Sequence, residues 1–286
     1  MNRKPGKSLN TDTGRYNKYV KPVFGDKEPK DIIKLDVDRV RLKLLKKLSP
    51  QSVKHVLNLF TWVVNYGTKN NLCQGVSFHI QKPSVNNEKT EDLTPEQLER
   101  LLLSIEEDSN LDVGRIMKVA LFTGMRRMEI LRLTWKDLNF ETGFISIRDP
   151  KGGEDQKIPM NETARGIFKS VVKTGSEYVF PGRGGGQRTT IGRIGQRITK
   201  RAGLPQGFRP LHGLRHVYAS MLASSGKVDM YVLQRLMTHK SPKMTQRYAH
   251  LRDDALKAGA GQIDEIMKQA NEVLTPITGK KIVNLK

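Results

Sequence analysis

The stretch Leu211–Tyr248 has little conformational freedom, because its sequence spells three short helices joined by tight turns. It opens with Leu-His-Gly-Leu-Arg-His at 211–216, and an apolar run (Val217, Met221, Leu222) follows. Gly226 is placed to end that helix in a left-handed cap. Asp229 predicts the N-cap of a second helix carrying Val232, Leu233 and Leu236. His239 comes next, and Ser241-Pro242 predicts the N-cap and first residue of a third helix, with Tyr248 about two turns along. His212 and Arg215 stand three apart and so share a helix face. The stretch therefore gathers a cation, two imidazoles and a phenol, a set suited to an anionic substrate attacked by a tyrosine. Two other readings stay open at this point. Tyr248 can be a packing residue, and His212 with His216 can be a pair of metal ligands at i and i+4. The metal reading lacks the glutamate of His-Glu-x-x-His, and Cys73 is remote in sequence.

Charge narrows the partner. Lysine and arginine number 50 against 29 acidic residues, a formal net charge of +21. Such an excess implies a polyanion, bound by phosphate neutralisation and counterion release. The basic residues run through both halves, which argues against one basic tail on a neutral enzyme. Ribosomal or nonspecific nucleic-acid binding fits the charge equally well. One cysteine precludes an internal disulfide framework and fits a reducing cytosol. Met1–Asn10 is basic but has no apolar h-region, and no run approaches bilayer-spanning length. These features predict a soluble intracellular protein, and 286 residues predict one large domain or two small ones.

Residues 1–14 are polar and expected to be poorly ordered. Short apolar pieces then alternate with charge around a Gly25-Asp26 turn, and Val40 to Leu48 reads as a short basic helix. Ser49-Pro50 starts the next helix, with Val53, Leu57, Phe60 and Val64 on one stripe and Gly67 as its expected end. Residues 15–75 are thus expected to form a small helical domain, and 76–93, without sustained periodicity, a linker. Thr94-Pro95-Glu96-Gln97 supplies an N-cap, a first-turn proline and a capping-box glutamine for a helix buried through Leu98, Leu101, Leu102 and Ile105. Ile116 to Leu121 predicts another apolar helix, stopped at Thr123-Gly124.

Arg126 and Arg127 follow that stop at once. Two arginines at a turn between buried helices suit a phosphate site, though pairing with a local acid such as Glu129 explains them on composition alone. Leu138–Phe140, Gly143–Arg148 and Gln156–Met160 predict three short strands, with Lys151-Gly152-Gly153 as the turn between the last two. Lys151 at that tip would ordinarily be solvated. Gly182–Gly186 is glycine-rich but lacks P-loop spacing, so nucleotide binding is not expected. Ile191, Ile194 and Ile198 predict a helix whose other faces carry Arg193, Arg197, Lys200 and Arg201, a solvated or a DNA-facing surface. Beyond Tyr248, residues 256–286 contain one more amphipathic pattern (Ile263, Ile266, Met267, Ala270, Val273, Leu274) whose apolar stripe needs a partner surface.

His212-Gly-Leu-Arg215-His216, followed by His239 and Tyr248 at this spacing, resembles the C-terminal motif of the tyrosine recombinase (phage integrase) family. Thr-Gly-Met-Arg126-Arg127-Met-Glu129-Ile is similar to the family's first arginine motif. The resemblance covers roughly residues 15–255 and is weaker before the linker. It implies a mainly α fold with a small antiparallel sheet (α+β): a helical core-binding domain, then a catalytic domain over 94–255. It further implies cutting and rejoining of DNA through a 3′-phosphotyrosine, without metal, cofactor or ATP. Tyr248 would be the nucleophile. Arg126 and Arg215 would hold the scissile phosphate, His239 would hydrogen-bond it, and His212 would accept the tyrosine proton. Lys151, with Lys157 as runner-up, would protonate the departing 5′ oxygen. Lys43, Lys47, Lys54, Arg193, Arg197 and Lys200 are the expected DNA-backbone contacts.

The implied partner is double-stranded DNA carrying specific recombination sites, bound by a tetramer whose C-terminal tails dock in trans. Accessory DNA-bending proteins and a place at the nucleoid go with it. Thr238 departs from the family pattern, where a glycine is common before His239. The stretch before Arg15 is too short for the arm-binding domain that many integrases carry upstream, so simple core sites or a piece of a longer chain is expected. Two rival functions share parts of this pattern: a type IB-like topoisomerase, and a non-catalytic DNA-binding regulator on a recombinase scaffold.

Overall fold

Ser49 and Pro50 open a 20-residue helix, as the sequence predicts: Ser49 Oγ accepts from the Ser52 amide at 3.3 Å. In the computed structural model, which describes residues 7–85, 91–148, 154–252, 260–264 and 267–268, the chain divides into two units, Met1–Asn87 and Glu88–Lys286. In the first unit, α1 (Lys7–Arg15) runs through a π-helical turn at Tyr16–Val20 into α2 (Lys21–Phe24), and α3 (Lys34–Leu45) and α4 (Pro50–Lys69) follow. Val53, Leu57, Phe60 and Val64 of α4 are buried against Val20, Phe24, Val37 and Val40. The Phe24 and Phe60 rings stack at 4.7 Å. Each such side chain contributes about 1.5–3 kcal/mol on burial.

Four expectations change here. Residues 7–14 are helical rather than poorly ordered, and α3 begins at Lys34 rather than Val40. Gly67 does not end α4; it lies inside the helix, where an added Cβ would meet Cys73 Sγ at 2.6 Å. Its missing side chain leaves room for the Cys73 thiol, and the stop comes at Asn70 and the left-handed Asn71 (φ 55°). The expected linker also begins later, because Ile80 is buried in this unit's core and Val76 and Phe78 pack against it. Period-free sequence hid a segment that packs without regular structure.

In the second unit, Thr94 and Gln97 exchange both capping-box hydrogen bonds at the start of α5 (Pro95–Glu106). The next helix, α6 (Leu111–Thr123), is apolar on nearly every side and central to the core, with Val113, Ile116, Met117, Val119 and Ala120 fully buried. Gly124 stops it at φ 64°, and a Cβ there would strike the Tyr218 ring at 2.4 Å. After α7 (Arg127–Leu131), the strands β1 (Leu138–Asn139), β2 (Phe144–Ile147) and β3 (Gln156–Pro159) form an antiparallel sheet in the order β1-β2-β3, with Ile145 opposite both Leu138 and Ile158. Period-2 alternation turns Ile145, Ile147 and Ile158 into the core.

Among the described residues the unit continues with α8 (Glu162–Lys169), α9 (Gly192–Arg201), α10 (Pro210–Ser224), α11 (Met230–Leu236) and α12 (Pro242–Gln246). As predicted, Gly226 is left-handed at φ 67° beyond α10, and Asp229 Oδ1 accepts from the Val232 amide at 2.8 Å to cap α11. Tyr248 lies just past the end of α12, not within it. Of the expected tail helix, residues 260–264 and 267–268 are helical and the rest lies outside the described residues. The fold is mainly α with one small antiparallel sheet, the class expected. Among the described residues no helix is long and apolar enough to cross a membrane.

Candidate active site

The turn after α6 and the turn after α11 meet over the N-terminal half of α10, and the charged groups are hung between them. Arg215, on α10, is buried at 4% exposure. Its Nη1 donates to the Gly124 carbonyl at 2.5 Å and its Nη2 to the Met237 carbonyl. Burial, followed by the nearby Arg126 charge, lowers the Arg215 pKa to about 10, so it stays cationic at neutral pH. Arg126 precedes α7. Its amide donates to Glu129 Oε2 at 2.8 Å, and its Nη1 donates to Glu129 Oε1 at 3.0 Å. The same Nη1 reaches Thr238 Oγ1 at 2.5 Å, and Nη2 reaches the Thr238 carbonyl at 2.9 Å. Arg127 turns elsewhere and donates to the Thr189 carbonyl at 2.7 Å.

The imidazoles form a chain. His212 and His216, one helical turn apart on α10, face each other edge-on with their Nε2 atoms 3.2 Å apart. His216 Nδ1 lies 2.5 Å from the Tyr248 hydroxyl. Tyr248 itself is 1% exposed, packed among Ala219, Ala223, Leu233 and Met237. His212 is the expected acceptor of the tyrosine proton; in the structure His216 makes the contact with the hydroxyl, and His212 stands behind it. In the sequence His216 stands out as a possible metal ligand and as the end of the His212–His216 motif, with no catalytic role assigned to it. Its i+4 spacing was legible, but the return of Tyr248 onto it, 32 residues later, depends on tertiary packing. No group of three His, Cys, Asp or Glu side chains converges to hold a metal among the described residues.

Burial, then the neighbouring His212 and Arg247, pulls the His216 pKa down to about 3. His239, whose Nδ1 lies 2.8 Å from Thr245 Oγ1, is likewise lowered to about 3 by burial and by Arg215 and Arg126. His212 is lowered by burial and then by Arg209, and Glu91, paired to Arg209 at 3.3 Å, opposes that shift. The Tyr248 pKa is raised by burial, against the pull of Arg247 and Arg215. The resting site is thus a protonated phenol and neutral imidazoles in a strongly positive setting.

Arg126, His212, Arg215, His216, His239 and Tyr248 line one cleft of about 740 Å³. Arg127, Arg132, Lys243 and Arg247 line it too, and Glu129 is its one carboxylate among the described residues. A concave wall of that sign concentrates polyanions, and guanidinium forks match phosphate oxygens bidentately. Lys151 lies outside the described residues, so its position is not part of this geometry; Lys157 is on β3. Of the expected backbone contacts, Lys43, Lys47, Arg193 and Lys200 are exposed and Lys54 is half-buried. Arg197 is committed to a protein partner: its Nε and Nη2 hold Asp108 at 3.1 and 2.8 Å. That bidentate pair to a buried carboxylate ties α9 to the turn after α5, and it keeps the Asp108 pKa low.

The phage integrase family model matches residues 91–255, the span holding every residue of this cleft. The tyrosine recombinase XerA of Pyrococcus furiosus is 29% identical over 184 residues, 62% of this chain and 63% of that protein. The integrase of Salmonella phage P22 is 29% identical over 202 residues, 65% of this chain and 50% of its own length. The chain therefore spans less than two thirds of these relatives. A tyrosine recombinase of Pseudothermotoga lettingae is 26% identical over 240 residues, 81% of this chain and 82% of that one. Among solved structures, the Tn1549 transposon integrase in complex with circular intermediate DNA shares the fold at a TM-score of 0.74 and 22% identity, over 91% of this chain and 95% of that one. A lambda integrase dimer bound to a COC′ core site gives 0.71 at 17% identity, over 88% and 92%. With its family-model match covering more than half of the sequence, the chain belongs to the phage integrase family.

Proposed function

We propose that this protein is a site-specific DNA recombinase that cuts and rejoins duplex DNA through a 3′-phosphotyrosine formed on Tyr248. The observation that carries the reading is the shared cleft, in which a buried phenol, hydrogen-bonded to an imidazole, lies with two guanidiniums anchored by backbone carbonyls. Arg126 and Arg215 bind the non-bridging oxygens of the scissile phosphate and stabilise the charge that grows on them in the transition state. Their anchoring means that no reorganisation is needed at the moment of reaction. An arriving phosphodiester adds negative charge, which raises the basicity of the imidazoles that the empty cleft keeps neutral. As the Tyr248 oxygen bonds to phosphorus, its proton passes to His216 Nδ1. His216 then releases its Nε2 proton to His212. The bond from phosphorus to the 5′ oxygen breaks, and Lys151, assigned from the family resemblance, supplies the proton that oxygen needs. His239 donates to the phosphate. The covalent ester conserves the bond energy, so the reverse attack by a 5′ hydroxyl reseals a strand without ATP.

The partner on this reading is duplex DNA with specific recombination sites, held by four copies assisted by DNA-bending proteins. Ile263 and Met267, 62% and 54% exposed, supply the apolar contacts of a tail that docks on a neighbouring copy. The test is Arg126→Ala on site-bearing DNA with a nick that traps cleavage. Cleavage is lost and binding is kept; equal loss of both would remove Arg126 from catalysis. Relaxation of supercoiled plasmid that lacks any recombination site would assign a topoisomerase instead.

A further inference from the structure

The turn that ends α11 carries a residue of the wrong kind for its backbone. The Thr238 amide donates to the Arg235 carbonyl and the His239 amide to the Gln234 carbonyl, both at 3.0 Å. This is the paired hydrogen bonding of a Schellman cap, in which the residue at the left-handed position is usually glycine. Thr238 occupies it at φ 48°, and among the described residues only Asn71 shares a positive φ without being glycine. A β-branched side chain is strained in that region. The strain stands beside a specific contact. Thr238 is 4% exposed, and both its hydroxyl and its carbonyl accept from Arg126.

A guanidinium has five N–H donors in a fixed plane. The two on Nη1 are taken by Glu129 Oε1 and Thr238 Oγ1, and one on Nη2 by the Thr238 carbonyl. What remains is Nε–H and the other Nη2–H, which are parallel, lie on one edge, and meet no protein acceptor among the described residues. That edge is the fork that grips two oxygens of one phosphate. We infer that Thr238 is a positioning residue for Arg126, holding the end of the guanidinium so that its side edge is left to a phosphate. The strained backbone is retained for that hydroxyl. The inference rests on the reading of Arg126 as a phosphate ligand.

The test uses the full chain with Thr238→Gly, Thr238→Ala and Thr238→Ser. Inorganic phosphate is the probe, titrated against the arginine Nε–Hε resonances, and melting temperature and adduct formation on nicked DNA are measured alongside. Glycine and alanine both lack the hydroxyl but differ in strain, so Thr238→Gly melts about 2–4 °C above Thr238→Ala. Serine keeps the hydroxyl and binds phosphate within about twofold of the parent, whereas Thr238→Ala and Thr238→Gly bind roughly five- to tenfold more weakly. In an Arg126→Ala background Thr238→Ala weakens binding no further. Phosphate affinity equal in all four proteins overturns the assignment, as does serine binding as poorly as alanine. Should the parent form no adduct while the phosphate order holds, strand cleavage fails as a reading and the role of Thr238 stands.

Discussion

Replacing His216 with asparagine will flatten the acid side of the protein's stability profile. An imidazole in the unfolded chain titrates near 6.5, whereas in the fold burial and the surrounding cations hold His216 neutral down to about 3. Between those values the unfolded state binds a proton that the native state refuses, so stability falls as pH falls. The contribution is complete above pH 6.5 and is lost progressively below it. By pH 5 the loss amounts to about 2 kcal/mol, the 1.5 units between 6.5 and 5.0 at 1.36 kcal/mol each. The figure at pH 5 does not depend on where below 4 the native value lies. Asparagine places an amide where Nδ1 stood and keeps a partner for the buried Tyr248 hydroxyl, which alanine would leave unsatisfied at about 1–3 kcal/mol. For a unit of this size, 2 kcal/mol corresponds to about 4–8 °C in melting temperature. Thermal melts of parent and His216→Asn at pH 7, 6 and 5 and fixed ionic strength give the comparison. His212 and His239 remain in both proteins, so their own titrations largely cancel. The parent loses about 4–8 °C more than the variant between pH 7 and 5. Parallel profiles would refute the claim that the fold keeps this imidazole neutral.

Three further outcomes are expected away from the cleft. Arg193→Ala and Lys200→Ala each weaken DNA binding about equally for all sequences and reduce the logarithmic salt slope by about 1, measured by titration at several salt concentrations. Arg197→Ala instead lowers the melting temperature, because it removes the bidentate partner of buried Asp108 and leaves it only Arg201 at 3.6 Å and the Asn110 amide, and it leaves the salt slope nearly unchanged. Gly67→Ala destabilises the first unit by about 1–3 kcal/mol in denaturant melts, since its Cβ would overlap Cys73 Sγ at 2.6 Å. The same substitution in a Cys73→Ala background is neutral or stabilising, as alanine is the better helix former.

What the sequence made legible follows a physical division. Local signals held well: the Thr94–Gln97 capping box, the Ser49 and Asp229 caps, the Gly124 and Gly226 stops, and the three strands read from alternation. Each is decided within a few residues of chain, and so was the placement of His212 and Arg215 on one helix. Decisions made at a distance were not legible. Gly67 looks like a helix end until the Cys73 thiol is found against it. Ile80 sits in aperiodic sequence because its burial comes from another helix's surface. Arg197 reads as a free cation until Asp108, 89 residues earlier, is found beneath it. The site shows the same split: its residues could be named, but the contact from Tyr248 to His216 and the grip of Thr238 on Arg126 exist only once α10, α11 and the turn before α7 are assembled.

The most direct test of the central claim is a denaturing gel of the protein incubated with nicked, end-labelled candidate attachment-site DNA in the presence of a chelator. Tyr248→Phe runs beside it, and a native gel confirms that both proteins bind. The account predicts a covalent protein–DNA band in the parent that vanishes in the variant while binding persists. A band that survives in Tyr248→Phe, or specific binding with no band in either protein, would contradict it.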